Sequence, residues 1–276
     1  MGTAGPIKLA EKILTEGNES GLFFVFNADV ICDYPLDQMV AYHKAHGKEG
    51  TIVVTKVEDP TRYGVVVAEE SGEINRFVEK PTTFVSNKIN AGLYLFNTSV
   101  IKRIPNKPTS IEREIFPVIA AEKELYQFEL NGFWADIGQP KDYLIGQRMY
   151  IEAQQSKENT IVSKGHNEAN VIVHASAKVH ASAQLGPNVV IGPNCEIGEG
   201  VRIRDSTILA GTKILSYTLI TGSIIGWKNT IKSWCRITKM SCTAEDVQIA
   251  EETCLDNVKV LPHKGINGVH ADIVIM

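Results

Sequence analysis

The chain has 276 residues, 43% of them hydrophobic and 22% charged, which suits an ordinary soluble protein with one large or two modest domains. A formal net charge of −4 leaves no basic excess to neutralise a nucleic-acid backbone, and no polybasic run flanks an amphipathic helix, so nucleic-acid and membrane partners are disfavoured. The N-terminus lacks the regions of a secretory signal, and the five scattered cysteines never form C-x-x-C, so a cytoplasmic protein with buried free thiols is expected.

The first 155 residues alternate short apolar runs with helical stretches, which predicts an α/β sheet of Rossmann-like type. Leu22 to Phe26 is continuously apolar, as expected of a strand buried on both faces of a parallel sheet. Asp33 and Pro35 supply a cap and an early proline for a helix with Leu36, Met39 and Val40 on one face. Thr51 to Val57 reads as the next strand. Gly64 to Ala68 and Ile74 to Val78 flank the turn-rich Glu69 to Glu73, which predicts a hairpin. Leu93 to Phe96 is a further strand. Thr109-Ser110-Ile111-Glu112 forms a capping box before a helix that Pro117 shortens or kinks.

A polar stretch, Gln154 to His166, reads as a linker between domains 1–155 and 156–276. Beyond it Val173, Val179, Leu185, Ile191, Ile197 and Ile203 recur every six residues, a period that neither helix nor alternating strand gives. A left-handed parallel β-helix does give it, one unit for each flat side of a triangular coil. Asn and Gly in "LGPNVVIGPNCEIGEGV" supply the turns. The period resumes in a new phase at Ile225, which predicts a break or bulge near Gly222 to Gly226.

Ligands of open α/β sheets bind beyond the carboxyl ends of the strands. Asp29 follows Leu22 to Phe26 directly, and Asp136 stands in "GFWADIGQPKDY". Brought together, two aspartates make a hard oxygen site for Mg²⁺, with phosphate oxygens completing the shell; ordinary turn residues are the competing interpretation. In "RFVEKP", Glu79 and Lys80 face one wall only if the strand bends, which Pro81 favours. A lysine there suits a phosphate and a glutamate suits sugar hydroxyls, against a solvated strand end. Asn90 offers hydrogen bonds and Gly92 close backbone approach, against a plain strand start.

"FNADV", "RYGVV", "RFVEKP", "NKINAGLYLF", "PTSIEREIFP" and "FWADIGQPKDYL", in this order and followed by a hexapeptide β-helix ending "LPHKGINGVHADIVIM", closely resemble the mannose-1-phosphate guanylyltransferase family of sugar nucleotidyltransferases. The resemblance implies that mannose 1-phosphate attacks the α-phosphate of GTP, pyrophosphate leaves and GDP-mannose forms, mostly by positioning and charge neutralisation. It assigns Asp29 and Asp136 to Mg²⁺, Glu79 and Asn90 to the mannose hydroxyls, and Lys80 to the sugar phosphate. Gly64 and Gly92 line the substrate pocket, and Gly2 and Gly5 belong to a stretch beside the nucleotide base and sugar. A homo-oligomer, or a complex with a related guanylyltransferase subunit, is also implied.

The family begins with a strand and a glycine-rich loop, G-G-x-G-T-R-L, that holds the triphosphate, and the 276 residues contain neither. The first domain is therefore expected to be incomplete, without its first βαβ unit, and the chain alone to bind GTP poorly with little or no turnover. "AGTKIL" at Ala210 to Leu215 mimics the loop only by coincidence. Two other functions compete: a non-catalytic regulatory or scaffolding subunit, and a hexapeptide acyltransferase using His174 or His180, which are expected to stack on neighbouring coils. Trp227 and Trp234 suit either a subunit contact or the core.

Overall fold

The computed structural model describes residues 2–155 and 170–276, so most of the stretch read as a linker lies outside the described residues. Its contacts divide the chain into two compact units, Met1–Trp134 and Ala135–Met276. Among the described residues no helix is long and apolar enough to cross a membrane.

The first unit opens with two single-turn helices, α1 (Gly5–Leu9) and α2 (Glu11–Thr15), followed by β1 (Leu22–Phe26), β2 (Val30–Cys32) and α3 (Leu36–His46). Next come β3 (Gly50–Lys56), the hairpin of β4 (Gly64–Ala68) and β5 (Ile74–Glu79), and β6 (Lys88–Asn97). After α4 (Val100–Arg103) the chain enters a wide π-type turn, Ile111–Ile115, that runs into α5 (Phe116–Ala121); β7 (Leu125–Glu129) follows, and β8 (Trp134–Asp136) begins on the last residue of this unit. The main sheet is ordered β5-β4-β6-β3-β7, and β1 also pairs with β6, along Leu93 to Asn97, beyond the point where β4 meets Ile89.

This sheet is mixed, which corrects the expectation of a parallel one. Long central β6 runs antiparallel to β1, β3 and β4, and only β3 with β7 is parallel. Burial on both faces still explains the continuous apolar runs: Leu93 and Leu95 of β6 join one core, Tyr94 and Phe96 the other. β1 is less enclosed than its composition implies, since only Phe23 is fully buried and Phe26 is 41% exposed.

Two helix starts also differ from expectation. Asp33 does not cap α3, whose N-cap is Pro35 without a side-chain bond. At the wide turn the cap is Ser110, which accepts from the Arg113 amide at 3.2 Å, while Glu114 returns a bond to the Ser110 amide at 2.8 Å. The reciprocal pair is therefore Ser110 with Glu114, because the extra residue of the π-type turn shifts the return partner by one position.

α3 is fixed to the sheet by a closed ring of hydrogen bonds. The Lys48 amide donates to His46 Nδ1 at 3.0 Å, so His46 Nε2 carries the hydrogen and donates to Thr51 Oγ1 at 2.8 Å. The Thr51 hydroxyl donates to His43 Nδ1 at 2.8 Å, His43 Nε2 donates to Asn97 Oδ1 at 3.1 Å, and Asn97 Nδ2 returns to the Lys48 carbonyl at 3.2 Å. Both histidines must be neutral for the ring to close. Burial lowers both, His46 to about 4, with His43 and Lys48 adding to that effect and Glu124 opposing it. A histidine whose folded pKa lies below its unfolded value stabilises above the unfolded pKa and loses that contribution as pH falls. The unfolding free energy from urea titration is therefore expected to hold above about pH 6.5 and to fall towards pH 4, by about 2 kcal/mol once the partial exposure of His46 is discounted. His46→Gln should flatten this limb.

The second unit holds α6 (Pro140–Gln155) and a parallel β-solenoid whose three sheets contain six, six and seven strands. Every third strand stacks in register, so Ile197, Ile214 and Ile231 form one inward ladder and Ile203, Ile220 and Ile237 another. Asn188, Asn194 and Gly200 turn the corners with positive φ, as "GPNVVIGPNCEIGEG" requires. The expected break near Gly222 is absent. Pairing continues straight through it, Thr207 on Ile224 and Ile208 on Ile225. The phase changes because some coils take 17 residues and others 18, so one corner is a residue shorter. Helix α6 packs on this solenoid through Gln147, which donates to the Asn188 carbonyl at 3.0 Å and meets the Thr207 hydroxyl.

All five cysteines are free, but only Cys32, Cys195 and Cys235 are buried; Cys242 and Cys254 are half-buried. Trp227 and Trp234 are 51% and 58% exposed, which removes the core role. His174 and His180 lie on successive sides of one coil, after strands Val171–Val173 and Lys178–Val179, not on neighbouring coils. Each bonds a serine two residues on through Nδ1, which makes them turn caps.

Candidate active site

In the first unit, five quoted segments meet around one end of the sheet. β1 stops at Phe26, and the Asn27 amide donates to the Gly92 carbonyl at 2.8 Å. Gly92 has φ +76°, and a Cβ there would sit 2.8 Å from Asn27 Nδ2, so only glycine lets the two segments close. Asn90 is held in the same turn: its Oδ1 accepts from the Gly92 amide at 3.0 Å and its Nδ2 donates to the Tyr94 hydroxyl at 2.8 Å. Tyr94 is fully buried, and burial pushes its phenol well above the usual range. Between them Ala91 accepts from Trp134 Nε1 at 2.9 Å, and the Tyr63 ring stands edge-on to Trp134 at 5.4 Å.

The hairpin brings Glu79 and Lys80 to the same region. The Lys80 amide donates to the Tyr63 carbonyl at 3.2 Å. Lys80 is exposed with φ +46°, an uncommon value for a side-chain-bearing residue, so the bend that lets adjacent charges share a wall is present. Gly64 pairs with Glu79 across the hairpin, and a Cβ on Gly64 would fall 2.7 Å from Glu79 Oε2. Glycine here leaves room for that carboxylate. Burial and the nearby Glu112 charge push the Glu79 carboxyl up, opposed by Lys80 and Arg113.

Gly2, with φ +69°, lies so close to Thr109 that a Cβ would meet the Thr109 carbonyl oxygen at 2.3 Å, and Gly5 is buried at the start of α1. Asp29 is exposed beyond β1, and its carboxylate makes no hydrogen bond or ion pair among the described residues. An exposed carboxylate at a strand end fits a hard cation. Asp136 belongs to the second unit, where its Oδ1 accepts from the Gly138 amide at 3.0 Å. Among the described residues no three His, Cys, Asp or Glu side chains cluster into a metal cage.

Sequence reasoning missed Asn27, Tyr63, Tyr94 and Trp134 as supporting residues. All four stood inside or beside the quoted motifs. Their role comes from contacts between segments 27, 63, 90 and 134, which no local spacing encodes.

Comparison with known proteins agrees with this architecture. The Nucleotidyl transferase family matches residues 1–153, and the GMPPB C-terminal domain matches residues 167–274. A nucleotidyltransferase domain followed by a parallel solenoid defines the class: the chain is a sugar nucleotidyltransferase by fold. It is 53% identical over 97% of its length to the mannose-1-phosphate guanyltransferase beta-A of Xenopus laevis, covering 74% of that protein. It is 51% identical over 96% of its length to the mannose-1-phosphate guanylyltransferase catalytic subunit beta of Drosophila melanogaster, covering 72%. To the Hypocrea jecorina mannose-1-phosphate guanyltransferase it is 48% identical over its whole length, covering 77%. The chain belongs to the mannose-1-phosphate guanylyltransferase family.

Proposed function

We propose that the site serves transfer of GMP from GTP to mannose 1-phosphate, giving GDP-mannose and pyrophosphate. The observation that carries this is the convergence of Tyr63, Lys80, the Asn90 to Gly92 turn and Trp134 at one end of the first unit's sheet. Glu79 and Asn90 accept and donate hydrogen bonds to the sugar hydroxyls, and Lys80 offers its ammonium as a point charge for the sugar phosphate. Gly64 leaves room for the Glu79 carboxylate and Gly92 for the closure of Asn27 on the Asn90 turn, so both line the sugar pocket, while Gly2 and Gly5 border the nucleotide. Asp29 and Asp136, each by its own motif, supply carboxylates for Mg²⁺, which when bound neutralises phosphate charge. The sugar-phosphate oxygen then bonds to the α-phosphorus of GTP as the bond to pyrophosphate breaks, a displacement that depends on position more than on proton transfer.

The 276 residues carry this sugar side of the site without a G-G-x-G-T-R-L segment. The chain as it stands is therefore proposed to bind mannose 1-phosphate, to hold GTP weakly and to turn over slowly, in the cytoplasm and in assembly with further copies or with a related guanylyltransferase subunit. Isothermal titration with each substrate, with Mg²⁺ present, and a pyrophosphate-release assay test this. Heat with mannose 1-phosphate and little with GTP is expected. No binding of mannose 1-phosphate overturns the site, and turnover equal to a full-length relative overturns the weak-nucleotide reading.

A further inference from the structure

Glu112, half-buried on the wide turn that packs against β5, does two things that the family motif does not explain. Its Oε2 accepts from the Thr3 hydroxyl at 2.5 Å and from the Ser110 hydroxyl at 2.9 Å. Each hydroxyl also accepts from the backbone, Thr3 from the Ile111 amide at 2.9 Å and Ser110 from the Arg113 amide at 3.2 Å. A hydroxyl has one proton, so both protons go to the same oxygen and the turn requires an acceptor at position 112. The Ala4 amide bonds to the Thr109 carbonyl at 3.0 Å beside them, and Gly2 lies flat against the Thr109 backbone. The start of the described chain is thereby tied to residues 109 to 112.

The second effect is electrostatic. After burial, the Glu112 charge acts most strongly on Glu79, at the end of β5. Lys80, next in the chain, and Arg113, on the same turn as Glu112, oppose it, and Tyr94 on β6 is within reach of both carboxylates. Glu112 thus borders both the glycine-bearing start and the sugar-facing carboxylate.

We propose that Glu112 is a positioning residue of the sugar-phosphate site, tying the Gly2 to Ala4 stretch to the Ser110 turn and setting the charge against which Glu79 receives sugar hydroxyls. The proposal rests on the assignment of Glu79 to the sugar. It assigns Glu112 no contact with substrate. Removing its carboxylate takes the shared acceptor from two hydroxyls, while removing only its charge leaves an acceptor oxygen and acts on Glu79 through the lost charge.

Those two changes are separable by titrating mannose 1-phosphate into the full chain between about pH 4 and pH 8, a span that runs upward from the ordinary carboxylate pKa of about 4. Wild-type affinity should weaken as pH falls through the raised Glu79 range. Glu112→Gln keeps an acceptor oxygen, so near neutral pH it should bind as wild type, with its acid limb moved to lower pH because the opposing charge is gone. Glu112→Ala should lose about tenfold to a hundredfold in affinity at all pH values, as expected for two hydrogen bonds to a charged group, and Thr3→Val about fivefold. An acid limb in Glu112→Gln that coincides with wild type overturns the proposal even where Glu112→Ala does not fold. A wild-type chain that fails to bind mannose 1-phosphate overturns the functional assignment instead, and the two failures are distinct.

Discussion

Ile220→Asp is expected to unfold the solenoid, whereas Arg236→Ala, on the outward ladder of the same side, should leave stability within about 0.5 kcal/mol. Ile220 is fully buried and stacks between Ile203 and Ile237. Arg236 pairs with Leu219, one residue away, and is exposed. A single step along the strand therefore separates the dry interior from water. Aspartate at 220 would be an unpaired charge among aliphatic side chains, with no partner and no water. The graded variant Ile220→Ala should cost about 2 to 5 kcal/mol, towards the upper end, because coils fixed by main-chain bonds on both sides cannot close over the cavity. Thermal and urea unfolding followed by circular dichroism reads all three. A melting curve for Ile220→Asp that matches wild type would show that the inward ladder is misassigned.

The solenoid was legible because its signal is repetitive. Six residues per side is a period with one architectural solution, and the same aliphatic position recurs from Val173 to Ile203. What stayed hidden was the corner length: a side shortened by one residue looks like a break in a linear sequence, although Ile208 and Ile225 stack without interruption. In the first unit, apolar runs located β3, β6 and the hairpin but not the direction of pairing, since a strand buried on both faces reads alike in parallel and antiparallel sheets. The Thr109 box and the Asp33 cap failed for a related reason. Cap motifs are local, and tertiary packing of the wide turn selected Ser110 and Glu114 instead. Around the candidate site, Glu79, Lys80 and Asn90 stand in motifs that the sequence displays. The contacts that arrange them, Trp134 on Ala91 and Asn27 on Gly92, join positions far apart in the chain and become visible only once folded.

Gly92→Ala is expected to lower both stability and sugar-phosphate binding, and Gly132→Ala separates the two causes. Both glycines have positive φ, +76° and +109°, so alanine at either pays the strain of a backbone region that side chains avoid, about 1 to 3 kcal/mol. They differ in space. A Cβ on Gly132 meets nothing within 4 Å, whereas one on Gly92 meets Asn27 Nδ2, Cγ and Cβ at 2.8, 2.9 and 3.0 Å. Asn27 cannot step aside by rotating its side chain alone, because the contact extends to its Cβ and its amide is bonded to the Gly92 carbonyl. The turn must move instead, and it carries the Gly92 amide that fixes Asn90 Oδ1. Gly92→Ala should therefore cost about 3 kcal/mol or more in urea unfolding and weaken mannose 1-phosphate at least tenfold, since Asn90 is displaced along with it. Gly132→Ala should show the backbone cost alone with affinity unchanged. Equal effects of the two variants on binding would mean that the closure of Asn27 on Gly92 does not shape the sugar pocket.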